Sequence, residues 1–334
     1  MVRLRRVRID SPGWTRRKQG RSFVYLDLER ARIVDEEHLA RIVALAIPPA
    51  WDDVWISPWH NGHIQAAGMD AAARRQYLYH QQWRTRRDRL KHDHVLDVAR
   101  RLPAARRRVR RDLQLTGWPR DKALALAFRL LDLAYLRIGG EGYAAKHGSY
   151  GLATLLREHV RVLAPASEGD EGRVHLRFPA KSGQIRDTVV EDDDVARLVR
   201  SLVRRPDDNP ELLAWRDEDG TWHDVTSADI STYVKQRLGA DASAKDFRTW
   251  HATVLAARGL AAAGPAPRSE RARRRIATQV VKDVAEELGN TPAVCRASYI
   301  DQRLFDLWEH GSTIGPTRTQ HAAERQTLAL LSGT

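Results

Sequence analysis

The hydrophobic period of this chain changes near residue 82, and that change confines it to a fold whose sheet and helices are segregated along the sequence. Before it the pattern is strand-like. Residues 22–28 (SFVYLDL) alternate and are rich in β formers, and residues 53–68 read as a strand, an Asn61-Gly62 turn and a second strand. Pro48-Pro49 separates a short helix from this sheet. From Gln82 to Arg101 the pattern is polar and helical, with charges of both signs, and the chain beyond it is mainly helical. In residues 121–137, Leu124, Phe128, Leu131 and Tyr135 share one helical face behind an Asp121 N-cap, and Gly139-Gly140 stops the helix. The period returns to two once. Val174, Leu176 and Phe178 alternate, P-A-K-S-G turns the chain at Lys181, and QIRDTVV runs back. Further helices are predicted over 228–238, 246–262 and 269–288. Gly289 then ends a helix, and Thr291-Pro292 starts the next. Asn290 therefore sits at a helix–helix corner, with Tyr299 about two turns beyond it. The expected class is α+β. A small N-terminal domain with an antiparallel sheet, 1–88, precedes a larger and mostly helical domain with a small β-hairpin sheet, 89–334.

Charge narrows the partners. Against 43 acids stand 56 cations, a net of +13, which favours a polyanion. Only eight of the cations are lysine; the rest are arginine, the better bidentate phosphate ligand. The first 100 residues carry +7 and the remaining 234 carry +6, so charge density is higher at the N-terminal end. No stretch approaches the roughly 18 apolar residues of a membrane span, and the N-terminus lacks the apolar segment of a secretory signal. A single Cys295 makes neither an internal disulfide nor a cysteine metal site. The expected compartment is the cytoplasm. There is no G-x-x-x-x-G-K-[ST] loop and no G-x-G-x-x-G, and His92 and His94 form only a weak cluster. The acids at 192–194 read as a charged turn after a strand. Neither a nucleotide nor a metal cofactor is expected.

What remains is a set of cations and one late tyrosine: Arg137 at a helix end, Lys181 in a hairpin turn, Lys245 and Arg248 at a helix start, and Asn290 and Tyr299 around a short helix. A tyrosine hydroxyl can attack a phosphodiester once activated from its usual pKa of about 10. Guanidinium and amide donors can stabilise charge on the nonbridging oxygens, and a lysine can protonate the leaving oxygen. Each residue also fits an ordinary structural role. Arg137 can complement a helix dipole, Lys181 can be a solvated turn residue, and Arg248 can pair with an acid such as Asp246. Asn290 can satisfy a helix terminus, and Tyr299 can be a core tyrosine with a bonded hydroxyl.

Several segments together carry a resemblance. They are PGWTRRKQGRSFVYLD (12–27), AIPPAWDDVWISPWHNGHIQAAGMD (46–70), RRQYLYHQQW (74–83), YLRIGGEGYA (135–144), GSYGLATLLREHV (148–160), FPAKSGQIR (178–186), AKDFRTWHATVLA (244–256) and LGNTPAVCRASYI (288–300). In this order and at domain-scale spacing, the chain from about residue 7 to about residue 300 resembles the bacterial, poxvirus-like type IB DNA topoisomerases. The resemblance implies that Tyr299 is the nucleophile forming a 3′-phosphotyrosyl bond and that Arg137 and Arg248 clamp the scissile phosphate. It further implies that Lys181 is the general acid and that Asn290 donates to a nonbridging oxygen. Lys245 and Tyr143 would support the phosphate and its neighbours, and Gln76, Tyr77 and Tyr79 would meet the DNA. The chain departs from the family at Ala72-Ala73, where Arg-Gly is usual, at Gly140 and at Gln302. The implied protein is a monomer that closes its two domains around supercoiled duplex DNA in the nucleoid. It relaxes supercoils of both signs by nicking, strand rotation and religation, without ATP or metal.

Two alternatives stand beside it. A tyrosine recombinase or integrase uses similar chemistry but usually carries H-x-x-R where this chain has Lys245-Asp-Phe-Arg248. A non-catalytic, arginine-rich nucleic-acid-binding protein would fit the charge alone.

Overall fold

A computed structural model describes residues 3–164 and 172–333, and the chain divides into two compact units, Met1–Lys91 and His92–Thr334. The N-terminal unit is built on the strand periodicity. Strands β1 (Trp14–Gln19), β2 (Ser22–Leu26), β3 (Asp52–Ile56), β4 (Ile64–Met69) and β5 (Arg75–Tyr79) form an antiparallel sheet in the order β2-β1-β3-β4-β5. Helix α1 (Glu36–Ala44) follows β2 and is capped by Asp35, which accepts from the His38 amide at 2.7 Å. Trp14, Ile33, Ile42, Ile47, Val54, Ile56 and Ala66 make the core, with Leu78 of β5 packed against it.

The β3–β4 hairpin exists, but Asn61-Gly62 is not its two-residue turn. The connection spans residues 57–63 and is shaped by the side chain of Gln65, whose amide donates to the carbonyls of Gly62 (2.7 Å) and His60 (3.0 Å). Asn61 turns away to donate to the Arg3 carbonyl at 3.0 Å. A buried glutamine thus overrides the local turn signal.

Helix α2 (Gln81–Leu113) runs across the division between the units, with Pro103 inside it. The C-terminal unit is mainly helical. It contains α3 (Arg120–Ala134), α4 (Glu141–His147), α5 (Asp193–Val203), α6 (Ser227–Leu238), α7 (Ala244–Ala262), α8 (Glu270–Leu288), α9 (Pro292–Ser298), α10 (Arg303–Glu309) and α11 (Gln320–Ser332). Strands β6 (Val160–Leu163), β7 (Arg173–Pro179) and β8 (Ile185–Glu191) form a three-stranded antiparallel sheet, and β9 (Ala214–Arg216) pairs with β10 (Trp222–Asp224). The two last strands are three residues each, too short to show a period. The acids at 192–194 belong to the start of α5: Asp192 caps it, accepting from the Val195 amide at 2.9 Å.

Helix α3 is buried along nearly its whole length, which its Ala/Leu-rich sequence permits on every face. Its ends differ from the periodicity. Pro119 is the cap and Asp121 lies in the first turn, so Asp121 is not the N-cap. The helix stops at Ala134 rather than at Gly139-Gly140, because Tyr135 takes a left-handed conformation (φ 56°). Arg137 consequently lies beyond the helix, not at its end. The apolar face runs through Tyr135, so periodicity alone continues the helix. Tertiary contacts end it: the Tyr135 ring packs on His251 (4.7 Å between centroids), and its carbonyl accepts from Arg248.

Candidate active site

The segment after α3 presents Arg137, and it is held from outside any helix. The amides of Leu152 and Ala153 donate to the carbonyls of Arg137 (2.9 Å) and Ile138 (2.8 Å). Gly139, at φ 81°, and Gly151 cross in backbone contact. A Cβ on Gly151 would come within 2.5 Å of the Gly139 Cα. Gly151→Ala is therefore expected to destabilise the fold by about 1–3 kcal/mol, the cost of overpacking a rigid contact. A lower denaturant midpoint at unchanged slope would register it; an unchanged midpoint would mean that the two strands of backbone part freely.

Helix α7 presents Lys245 and Arg248. It opens with a reciprocal cap, in which the Ser243 amide and hydroxyl both donate to Asp246 Oδ2 (2.7 and 2.9 Å). Arg248 faces inward, 3% exposed. Its Nη1 donates to the Tyr135 carbonyl, its Nη2 donates to the Leu288 carbonyl at 2.9 Å, and its guanidinium lies over the Tyr299 ring, 5.2 Å from the centroid. Its Nε is buried without a partner. Burial, reinforced by the neighbouring Arg137 charge, pulls the Arg248 guanidinium down to about 10.

Gly289 closes α8 in the left-handed conformation, and Thr291 caps α9 with Pro292 in its first turn, as the sequence predicts. Asn290 stands between them. Its Oδ1 accepts from Arg137 Nη2 at 2.5 Å, while its Nδ2 is buried with no partner. Tyr299 sits at the C-terminal cap of α9 rather than within it, and its carbonyl accepts from Thr253 of α7 at 3.3 Å. Burial pushes the Tyr299 phenol upward, but the charge and hydrogen bond of Arg248, then Arg137 and Lys245, outweigh it and hold the phenol below its ordinary value. Beside it, burial pushes the Cys295 thiol up to about 11.

Two adjoining cavities meet at Arg137 and Arg248. One, of about 340 Å3, is lined by Lys181, Gln184, Arg186, Tyr150 and Gly289; the other, of about 460 Å3, is lined by Lys245, Lys235, Ser243 and Tyr299. Lys181 reaches the first from the exposed tip of the β7–β8 hairpin, where Gly183 (φ 72°) closes the turn. Arg137, Lys181, Arg248, Asn290, Tyr299 and Lys245 are thus gathered from five separate places in the chain. Periodicity gave no hint of Arg186. It is two residues into β8, with Nη2 donating to the Ala134 carbonyl at 3.1 Å and burial lowering its pKa, and it adds a third guanidinium to the first cavity. Thr253 was likewise invisible, because its role is a bond to a backbone carbonyl 46 residues away.

The other sequence candidates lie elsewhere. Tyr77 and Tyr79 project from the same face of edge strand β5, exposed and stacked at 5.9 Å. Gln76 alternates to the opposite face with Leu78, and its amide donates to Asp70 at 2.8 Å. Tyr143 falls within α4, and its side chain lies outside the described residues. No described helix is long and apolar enough to cross a membrane.

Two guanidiniums and a vacant amide donor beside a phenol of lowered pKa can hold an oxyanion next to a nucleophile. Comparison with known proteins gives the family. Residues 80–316 match the family model described as the catalytic core of eukaryotic DNA topoisomerase I, and residues 22–70 match that of the N-terminal domain of bacterial DNA topoisomerase IB. A DNA topoisomerase 1B of Acanthamoeba polyphaga mimivirus is 26% identical over 302 residues, covering 89% of this chain and 88% of the relative. The first match spans well over half of the sequence, and with the second it shows that the chain belongs to the type IB DNA topoisomerases.

Proposed function

We propose that the protein relaxes supercoiled duplex DNA of both signs through a covalent intermediate on Tyr299, with the site residues in the following roles. Tyr299 Oη attacks the scissile phosphorus, its proton passing to solvent. The P–O5′ bond breaks as the O5′ takes a proton from Lys181. The products are a 3′-phosphotyrosyl bond and a free 5′-hydroxyl, and religation is the same step reversed. Arg137 and Arg248 bind the nonbridging oxygens, and Asn290 adds the Nδ2 donor that has no partner inside the protein. Lys245 supports the phosphate, and Tyr77, Tyr79 and Tyr143 contact the DNA, while Gln76, on the opposite face of β5, holds Asp70.

The observation that carries this assignment is the Arg248–Tyr299 pairing: a buried cation over the phenol lowers the cost of the phenolate and faces the cavity a phosphate would fill. The bond energy of the cut strand is kept in the phosphotyrosine, so the reaction needs no ATP, and Arg137, Arg248, Asn290 and Lys181 fill the roles in which a metal ion would otherwise serve. Residues 1–88 serve as the DNA-binding sheet domain and 89–334 as the catalytic domain of a monomer acting on the nucleoid in the cytoplasm. The excess of cations makes binding strongly salt-dependent.

The test is relaxation of positively and negatively supercoiled plasmid in EDTA without nucleotide. Full relaxation of both, with a denaturant-trapped adduct on the 3′ end of the nick, is expected; a 5′-linked adduct or none would overturn the assignment. The general acid is checked separately. Lys181→Ala slows cleavage by about 10²–10⁴-fold on ordinary DNA, and far less on DNA with a 5′-bridging phosphorothiolate, whose sulfur leaves without protonation. Equal slowing on both substrates would remove Lys181 from that role.

A further inference from the structure

The family match ends at residue 316, yet the chain continues into α11, and this last helix reaches back toward the active site. Glu324 on α11 is buried and accepts two hydrogen bonds from Arg106 of α2, at 2.6 and 2.9 Å. The same guanidinium forks onto Asp132 of α3 with two bonds of 2.7 Å. Asp132 is buried too, and its Oδ1 accepts from His251 Nε2 of α7 at 3.0 Å. Gln320 closes the loop, donating to Glu324 at 3.2 Å and lying 3.4 Å from His251 Nδ1. Burial alone would neutralise Arg106 and Asp132. Their mutual attraction, with Glu324 and His251 adding to it, outweighs burial and holds Asp132 far below the usual carboxylate range and Arg106 above its own.

Two contacts join this cluster to the chemistry. The His251 ring packs at a tilt of 36° against Tyr135, whose carbonyl receives Arg248 Nη1. His251 is also three residues after Arg248 on α7, nearly one turn away on neighbouring faces. Tyr135 holds a left-handed backbone without being glycine, a conformation that persists only where the surroundings impose it. Buried ion pairs add little net stability, but their geometry is strict.

We propose that Glu324 of the C-terminal helix is a positioning residue for Arg248, acting through Arg106, Asp132 and the Tyr135–His251 ring pair. This rests on the assignment of Arg248 and Tyr299 to the reaction. Losing one carboxylate oxygen's charge lets Arg106 and Asp132 shift, and Arg248 shifts with the Tyr135 carbonyl. A displacement of about 1 Å at a catalytic group costs on the order of 100-fold.

The experiment uses the full-length chain with Glu324→Gln, Glu324→Asp and the milder Gln320→Ala. It measures duplex binding, thermal unfolding, and adduct formation on supercoiled plasmid with enzyme in excess, across pH 6–10. The charged side chains facing Tyr299 are Arg248, Arg137 and Lys245. Glu324→Gln is expected to bind duplex within about twofold of the original chain, yet to form adduct about 10–100-fold more slowly. The alkaline rise in its rate should move to higher pH, as a loosened Arg248 no longer lowers the phenol. Glu324→Asp should recover part of the rate, and Gln320→Ala should show the same displacement to a smaller degree, including when Glu324→Gln does not fold. Original rates and pH profiles in the folded variants would overturn the proposal, as would slowing that follows lost binding or unfolding with no change in profile. If the unaltered chain forms no adduct, the assignment of Tyr299 fails first and this inference falls with it.

Discussion

Tyr299→Phe is expected to abolish relaxation and adduct formation while duplex binding stays within about a factor of two. Loss of an enzymatic nucleophile costs on the order of 10⁶-fold in rate, so no relaxation should be visible even with enzyme in large excess. The substitution is gentle to the fold. The ring remains under Arg248, and the α7 bond to the residue-299 carbonyl does not involve the phenol. About 0.5–1.5 kcal/mol of stability is at stake for the lost hydroxyl bond. Normal binding with no adduct isolates the chemical step. Residual relaxation by the Phe chain, with the adduct moved to another residue, would show that Tyr299 is not the attacking group.

Arg248→Gln carries the second large effect, and it has two parts. Removing a donor to the nonbridging oxygens costs about 10²–10³-fold. Removing the charge also changes the phenol. In the native site burial raises the Tyr299 pKa, and Arg248 leads the group of cations that more than cancels that rise. Without Arg248 burial is opposed only by Arg137 and Lys245, the phenol pKa rises from its native position, and less of it ionises at any given pH. The log of the cleavage rate should therefore climb with pH along a curve displaced toward higher pH, and the deficit against the native chain should be largest near neutrality. Single-turnover rates between pH 6 and 10 give both quantities. A uniform loss with an undisplaced curve would leave Arg248 as a phosphate clamp that does not touch the nucleophile.

The parts of this molecule that the sequence made legible are those governed by short-range periodicity. Strand alternation located β2, β3, β4 and the β7–β8 hairpin, and caps at Gly289, Thr291 and Pro292 located the corner that holds Asn290. The family resemblance supplied the grouping of Arg137, Lys181, Arg248, Asn290 and Tyr299, which spacing alone could not do because they are scattered over 163 residues. What stayed hidden depends on distant contacts. The end of α3 at Ala134 is set by Arg248 and His251, more than a hundred residues away. The hairpin loop 57–63 is set by a buried glutamine, and Arg186 and Thr253 act on backbone carbonyls that no side-chain motif records. Gln76 and Tyr77 adjoin in sequence, and only strand parity separates them onto opposite faces.

The paired cavities that share Arg137 and Arg248 have a mechanical consequence. With the roles assigned above, the covalent end of the cut strand stays in the cavity of Tyr299, and the freed end departs through the cavity of Lys181. What meets the freed end on the way out is the tip of a hairpin, an exposed turn closed by Gly183. Under that assignment the torsion released per nick depends on how tightly the tip holds a departing 5′-end, on the same turn that carries the proposed general acid Lys181. Cutting and release would then meet on one element, and a change at the tip would alter both.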